Sequence, residues 1–302
     1  MKLFYKLSLL SLLSVFAVIV SCKETPKSVD KATKEVVAES NVISYPDSWV
    51  NSRVEKAKNR LNETEAGKII WNAMEAHGGL DTWFTNGPLT FRFNYQPLDG
   101  KTARDSYQTV DTWSNRAVHS SATDSSAKFG WTGEKAWVMA KDSTAFAYDT
   151  KFWALTPLWF VGHPFVLSGE GVNLELLEPT TFKDKDYNVV KVTFDAGTGD
   201  APDDYYILYV NKESNKIAVM RYIVSYPEYF KDGGHAPEKF TEFIGEQKVD
   251  GITMPGGFKT YWTVEGNQPG EYITKIDFTD VSFENDLPKD FFDAPADAKI
   301  LN

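Results

Sequence analysis

Leu89-Thr90-Phe91-Arg92-Phe93-Asn94-Tyr95-Gln96-Pro97-Leu98-Asp99-Gly100 is the stretch that decides the fold. Successive side chains of an extended chain point to opposite sides, so Phe91, Phe93 and Tyr95 share one face. Pro97-Leu98-Asp99-Gly100 then turns the chain. The same period of two continues through 107–113. Ser114-Asn115 turns it back into 116–122, and Gly133-Glu134 joins 128–132 to 135–141 at hairpin spacing. Strand patterns resume at 172–177, 187–195, 205–210, 216–226, 238–249, 257–264 and 271–283. Residues 211–215 and Asp250-Gly251 serve as turns. About eleven or twelve strands with short connections predict a mainly β (α+β) protein built on an antiparallel meander. The end, residues 285–302, reads as an irregular tail pinned by Phe291 and Phe292.

Before Pro88 the period is 3.6. Val50, Val54, Ala57 and Leu61 recur on one helix face, with Asp47 or Ser48 placed to cap it. A second helix is expected from about Thr64 to His77. Asn62 and Glu65 stand at capping-box spacing, and Ala66, Ile69, Ile70, Ala73, Met74 and His77 form its apolar stripe. Gly78-Gly79 supplies the stop. His77 falls in the last turn, where an imidazolium would suit the negative helix end.

Residues 150–167 interrupt the strands with Phe152, Trp153, Leu155, Leu158, Trp159, Phe160, Val161, Phe165, Val166 and Leu167. Pro157 and Pro164 divide the segment into short helical turns. It is too short and too broken to span a bilayer. A segment this apolar belongs in the core, at a cavity mouth or against a partner.

The chain of 302 residues carries 32 basic and 42 acidic side chains, a formal charge of −10. Such a surface repels phosphate backbones, so nucleic acid is not an expected partner. The 20 Phe, 14 Tyr and 9 Trp suit a packed core or a β protein that keeps an internal cavity; composition does not separate the two. No linker and no repeat divides residues 46–302, which read as one domain. With one cysteine, Cys22, no disulfide forms within the chain, and packing must supply the stability.

Lys2 and Lys6 precede an apolar run over residues 7–20, which ends in Ile19-Val20-Ser21-Cys22. That reads as a secretory signal, and a cysteine placed so resembles the lipobox of bacterial lipoproteins. The resemblance implies a signal peptide over 1–21 and an acylated Cys22 anchored in the lipid bilayer. A flexible polar tether over 22–45 would lead to the folded domain, 46–302. Two or three acyl chains hold a protein stably where one does so only marginally. The alternative is an ordinary signal peptide with an incidental cysteine.

A wider resemblance rests on several segments. They are Ala76-His77-Gly78-Gly79 with Trp83, Pro164-Phe165-Val166-Leu167, and Gly199-Asp200-Ala201-Pro202-Asp203-Asp204-Tyr205-Tyr206. Arg221-Tyr222 and Asp250-Gly251-Ile252 complete the set. Over most of 60–295 the chain resembles uncharacterised Bacteroidota lipoproteins, which look like the LolA-like superfamily of periplasmic lipoprotein carriers and lipid-binding lipoproteins. The resemblance implies a curved antiparallel sheet forming an unclosed half-barrel. Helices, including the short aromatic segment, would cover its concave face, and an apolar cavity would hold acyl chains. One departure matters: the soluble carriers have no lipid anchor, so a chain tethered at Cys22 would not shuttle as they do. The outer membrane is the favoured location. Thr25 stands where a second acid would follow Cys22-Lys23-Glu24 in a surface-export signal, so the membrane face stays open.

Catalytic signatures are absent: no GxSxG elbow, HExxH helix, Walker loop or Rossmann glycine pattern occurs. His77, His119, His163 and His235 are far apart in sequence, and satisfied core or loop histidines are expected. Asp195, Asp200, Asp203 and Asp204 crowd around Gly197 and Gly199 and could offer oxygens to calcium, but without the EF-hand order. A solvated turn with aspartates capping backbone amides is the other reading. No cofactor is otherwise required. The lipid-carrier reading makes Trp153, Leu155, Trp159, Phe160 and Phe165 a ligand-binding lid; the alternative is a covering segment packed with no gap beneath. The expected function is therefore non-enzymatic binding of an apolar ligand: a lipid acyl chain, a lipoprotein or a glycolipid. A surface glycan-binding or protein-interaction module is the alternative. A hydrolase built from scattered residues near His235, Glu238 and the acidic turn is a further one. The oligomeric state is not readable.

Overall fold

The structure is a computed structural model that describes residues 41–142 and 144–301. Cys22 and the expected signal segment lie outside the described residues.

Three helices come first: α1 (Asp47–Leu61), α2 (Glu65–Ala76) and α3 (Leu80–Thr85). The 3.6 period places Val50, Ala57 and Leu61 of α1 in the core, and Ala66, Ile70, Ala73 and Met74 of α2 beside them. The caps differ from expectation. Pro46 precedes α1 with no side-chain cap, and the Thr64 hydroxyl, not Asn62, accepts from the Gly67 amide at the head of α2. Positive φ at Gly78 (120°) and Gly79 (90°) stops α2 and redirects the chain into α3, a short helix with no sequence signal strong enough to predict it. The His77 ring is buried, and that burial lowers its pKa. Its Nδ1 lies 2.8 Å from the Thr253 carbonyl, and its Nε2 faces the Ile217 amide at 3.4 Å. One nitrogen donates and the other accepts, so the ring is neutral. The expected imidazolium at the helix end is corrected: His77 ties α2 to two strands instead.

The first five strands are β1 (Leu89–Pro97), β2 (Arg104–Val110), β3 (Ala117–Ser121), β4 (Lys128–Trp131) and β5 (Ala136–Met139). The aromatic segment follows as α4 (Thr150–Trp153), α5 (Thr156–Val161) and a 3₁₀ turn over Phe165–Ser168. Then come β6 (Val172–Phe182), β7 (Lys185–Phe194), β8 (Tyr206–Asn211), β9 (Ile217–Tyr222) and β10 (Lys239–Ile244). The chain ends through β11 (Gln247–Val249), β12 (Ile252–Met254), β13 (Gly257–Val264), β14 (Gln268–Phe283) and β15 (Lys299–Leu301).

Thirteen of these strands form one antiparallel sheet in the order β15-β5-β4-β3-β2-β1-β14-β13-β10-β9-β8-β7-β6, and β11 pairs only with β12. The order does not return on itself, so the sheet is the expected open half-barrel. The larger strand number has three causes. Gly245, at φ 67°, breaks the expected run 238–249 into β10 and β11. The Asp250-Gly251 turn adds β12 as a partner for β11 alone. The tail ends in β15, which pairs with β5 and extends that edge.

Alternation in β1 buries Leu89, Phe91 and Phe93 under the helices. Arg92 lies on the other face, where it holds Asp105 through two bonds of 2.9 and 2.7 Å. Phe160 of α5 meets Phe93 at 6.0 Å, Phe258 of β13 at 5.5 Å and Tyr222 of β9 at 5.8 Å between ring centroids. Trp83 of α3 stacks on Phe165 at 4.8 Å, joining the two groups of helices. A smaller apolar cluster, Tyr187, Val189, Ile207, Tyr209, Val219 and Phe240, lies on the opposite face of β7–β10. There the nearly buried Arg221–Glu238 pair is closed at 2.9 Å and supported by Tyr205 and Tyr209.

The segment expected as the end of the tether is part of the body. Ile43 donates to the Leu287 carbonyl, Tyr45 donates to Asp111 at 2.7 Å, and the Tyr45 ring stacks on Trp113 at 4.8 Å.

Close approach of α1 and α2 gives the first prediction. A Cβ on Gly67 would lie 1.9 Å from the Leu61 carbonyl oxygen. Alanine gains about 1 kcal/mol of helix preference there, but relieving that clash costs more, so Gly67→Ala should lose at least about 2 kcal/mol net. Urea unfolding checks it; wild-type stability in the variant would contradict the contact.

Candidate functional site

The half-barrel and its helical cover do not close on each other completely. A cavity of about 540 Å³ remains between the aromatic segment and the sheet. This falls within the range of ligand pockets, roughly 300–1,000 Å³. Trp153, Leu155, Trp159, Phe160 and Phe165 all line it. The local sequence explains how they reach it. Asp149 caps α4 by accepting from the Lys151 and Phe152 amides, and Pro157, lacking an amide proton, begins α5 rather than breaking it. The two short helices thereby turn one aromatic flank toward the sheet.

The opposite wall consists of strand side chains. Tyr95, Phe194, Tyr206 and Tyr222 line it. Trp159 packs 5.0 Å from Tyr206 and 5.6 Å from Phe194, and Trp153 packs 4.9 Å from Tyr95. Tyr206 stacks on Tyr222 at 5.7 Å, and burial raises both phenols well above the usual range. They are neutral hydroxyls in an apolar wall.

Charged groups also line the cavity: Arg53 and Lys239 bring cations, and Glu170, Asp200 and Asp204 bring acids. Lys239 lines the cavity from β10, its ammonium 5.5 Å from the Tyr222 ring, and burial beside Arg104 pushes its pKa down to about 8. No hydrogen bond or ion pair meets that ammonium among the described residues. Arg104 is not part of the lining: its guanidinium lies behind it, 4.5 Å from the Trp153 ring and 4.9 Å from Tyr95, with its Nε buried. Asp204 is the most buried of the lining acids. One of its oxygens accepts from the Ser225 amide at 2.6 Å and hydroxyl at 2.7 Å, while burial raises its pKa.

Lys239 and Arg104 were not singled out by the sequence reading. A signal did exist, in strand parity. Lys239 shares a face with Thr241 and Phe243, and Arg104 shares one with the buried Ser106, Gln108 and Val110. The four aspartates expected near Gly197 do not gather. Asp195 accepts from Asn173 at 2.8 Å, Asp203 is exposed, Asp200 lies at the cavity rim and Asp204 is turned inward to Ser225. Among the described residues no group of three or more His, Cys, Asp or Glu can hold a metal ion. The calcium expectation finds no support in this arrangement, in which Asp195 and Asp204 accept from separate partners and Asp200 and Asp203 stand apart from them.

His119 and His163 are fully buried. His119 of β3 bonds the Ala154 carbonyl (2.8 Å) and fastens the aromatic segment to the sheet, while His163 bonds the Trp159 carbonyl (2.5 Å) within the segment and closes its turn. His235 is exposed, and Glu238 is committed to Arg221 and Tyr205. No helix among the described residues is long and apolar enough to cross a membrane.

The sequence profile of a Family of unknown function (DUF6503) matches residues 94–241, a little under half of the chain. No curated protein matches it in sequence. Among solved structures, a LolA superfamily protein from Nitrosomonas europaea is 12% identical, with 76% of this chain and 98% of that one covered, at a TM-score of 0.50. A putative outer membrane lipoprotein-sorting protein domain from Vibrio parahaemolyticus is 10% identical over 81% and 97%, at 0.46. A DUF1329 family protein from Desulfovibrio piger is 13% identical over 81% and 97%, at 0.48. The first of these establishes the fold: this is a LolA-like open half-barrel.

The buried histidines generate a pH prediction. Burial lowers the pKa of His119 and of His163 to about 4. In the unfolded chain each binds its proton near the ordinary value of about 6.5. Between those limits the unfolded state holds more protons, so stability rises with pH and is lost as pH falls. Each unit below about 6.5 costs roughly 1.4 kcal/mol per histidine. The melting temperature should fall between pH 7 and pH 5, and His163→Gln should flatten that fall. An unchanged slope in the variant would contradict the buried neutral ring.

Proposed function

We propose that this chain is an envelope lipoprotein, anchored through Cys22, that reversibly binds an apolar ligand in its half-barrel and catalyses no reaction. One observation carries the reading. Eight aromatic or aliphatic side chains of residues 150–167 and five aromatic side chains of the sheet line a cavity of about 540 Å³. Protein interiors normally pack without such voids. Burying an acyl chain there contributes roughly 0.8 kcal/mol per CH₂, so ten methylenes offset the several kcal/mol that association costs. The LolA-like fold agrees with this use, although a fold hosts many functions and the argument rests on the cavity.

Location follows the same reading. The favoured placement is the outer membrane, with the domain held on its tether and the cavity open to ligand through the edge of the aromatic segment. The glycan-binding alternative finds less support. Stacking on sugars needs ring faces in solvent, yet of the nine tryptophans, all of them described, Trp49 alone is exposed.

The test is uptake of 1-N-phenylnaphthylamine, a neutral dye that brightens in apolar surroundings. Wild-type protein should bind it saturably. Trp159→Asp places an unpaired carboxylate on the cavity wall and should weaken binding at least tenfold while circular dichroism stays native. A folded variant with undiminished uptake would overturn the assignment.

A further inference from the structure

Among the described residues the cavity lining reaches the surface at two places, and their charges differ. The exposed Ser114, Asn115 and Gly133 border one opening, with Arg53 of α1 beside them in the lining. The exposed Glu170, Gly199 and Asp200 border the other. Contacts of α1 tell the two apart. Just before its start, Tyr45 bonds Asp111 and stacks on Trp113, and Arg53 donates to the Trp113 carbonyl at 2.5 Å, next to the first opening. At its end, Arg60 donates to the Leu167 and Val172 carbonyls at 3.1 and 3.2 Å, on either side of Glu170 at the second.

The first opening lies where the chain leads back toward Cys22. Residues 41–46 join the body there, through the Ile43 bond to Leu287 and the Tyr45 contacts. Trp49 stands one turn before Arg53 on the same flank of α1 and is 59% exposed, whereas the other eight tryptophans are buried or half-buried. An indole joins an apolar body to a polar N–H, and it settles at the boundary between lipid tails and headgroups. Charge around this opening is nearly balanced. Arg53, Arg116 and Lys135 face Asp47, Asp111 and Glu134, and the adjoining tail adds Lys289 against Asp290 and Asp293.

The second opening is acidic. Besides Glu170 and Asp200, its turn exposes Asp195 and Asp203. The cations close by are engaged: Arg60 with its two carbonyls, and Lys151 with Glu228 at 2.5 Å. A bilayer surface containing anionic lipid repels such an end and tolerates the balanced one.

We infer that the start of α1 is a bilayer-docking surface, with Trp49 seated at the lipid interface, the Ser114–Asn115–Gly133 opening turned to the lipid and the acidic opening turned away. This inference rests on the anchored-lipoprotein reading above and adds which face of the domain meets the membrane.

The experiment uses the mature acylated chain in vesicles of phosphatidylethanolamine and phosphatidylglycerol. Cys22 is the only cysteine and is blocked by its acyl group, so an introduced cysteine is the one free thiol. A polarity-sensitive fluorophore is placed at Ser52→Cys, on the Trp49 flank, or at Asp203→Cys, on the acidic turn. Lipid carrying a nitroxide just below the headgroup and iodide in the buffer are the two quenchers. The label at position 52 should shift to the blue and be quenched by the nitroxide lipid. The label at position 203 should keep its emission in water and be quenched by iodide. Adding Trp49→Ser to Ser52→Cys should cut the nitroxide quenching by half or more while circular dichroism stays native. Lipid contact at 203 and not at 52, or quenching at 52 that ignores Trp49→Ser, would overturn the docking surface. Vesicle-bound protein with both labels in water would also overturn it and leave the anchor standing. Protein with no acyl mass on Cys22 that washes off the vesicles would overturn the anchored reading along with it.

Discussion

Phe160 is the contact on which the rest of the structure depends. A sheet of thirteen strands exposes a broad apolar face, and an open half-barrel has no opposite wall to cover it. The cover must come from elsewhere in the chain. α1, α2 and α3 shield one part, and the aromatic segment shields the other. Phe160 inserts between Phe93, Tyr222 and Phe258, three strands distant from one another in sequence. Truncating a ring this buried typically costs about 3–5 kcal/mol, a large share of a domain's net stability.

The same contact explains why a cavity survives. α4 and α5 are only 4 and 6 residues long, so their side chains reach the sheet at few points. Phe160 and Phe165 make that contact from one flank, and His119 of β3 fastens the segment by a bond to the Ala154 carbonyl. Trp153, Leu155 and Trp159 line the space that remains, with Trp153 packed on Tyr95 and Trp159 on Tyr206 and Phe194 at its margins. A cover fastened at a few places is also one that can lift locally, since regions with few buried contacts open at low cost. Fold and site are thus consequences of one arrangement, a short stiff cover on a wide curved sheet.

Much of this is legible in the sequence, and the exceptions have physical causes. The alternation Phe91, Phe93, Tyr95 identifies β1 because one face is buried and the other wet. The stripe Ala66, Ile70, Ala73, Met74 identifies α2 for the same reason. The aromatic segment stands out because Pro157 and Pro164 forbid a long helix while the residue types demand burial. Less legible are features that depend on distant partners. β15 is three residues with no pattern, and it is a strand only because β5 offers an edge. The run 238–249 reads as continuous because a single Gly245 gives no warning of its positive φ. Thr64 caps α2 in place of Asn62, a shift of two residues that sequence spacing does not resolve.

Charge is the hardest to read. A lysine or arginine in an alternating strand is ordinarily on the wet face, as Arg92 is. Lys239 and Arg104 are exceptions: Lys239 borders the cavity, and Arg104 packs against Tyr95 and Trp153, placements that distant partners decide. Conversely, the acidic turn at 195–204 looks like a ligand set when written in a line. Folded, it disperses, because Asp204 is drawn inward by Ser225 and Asp195 by Asn173.

The central claim is that the space beneath Trp153 and Trp159 is hollow and holds a chain molecule. Native mass spectrometry of residues 40–302, followed by solvent extraction, tests it most directly. The account predicts a discrete added mass, which disappears on extraction and is recovered in the organic phase. A bare protein mass, unchanged after incubation with envelope lipids, would contradict it and leave the aromatic residues as core alone.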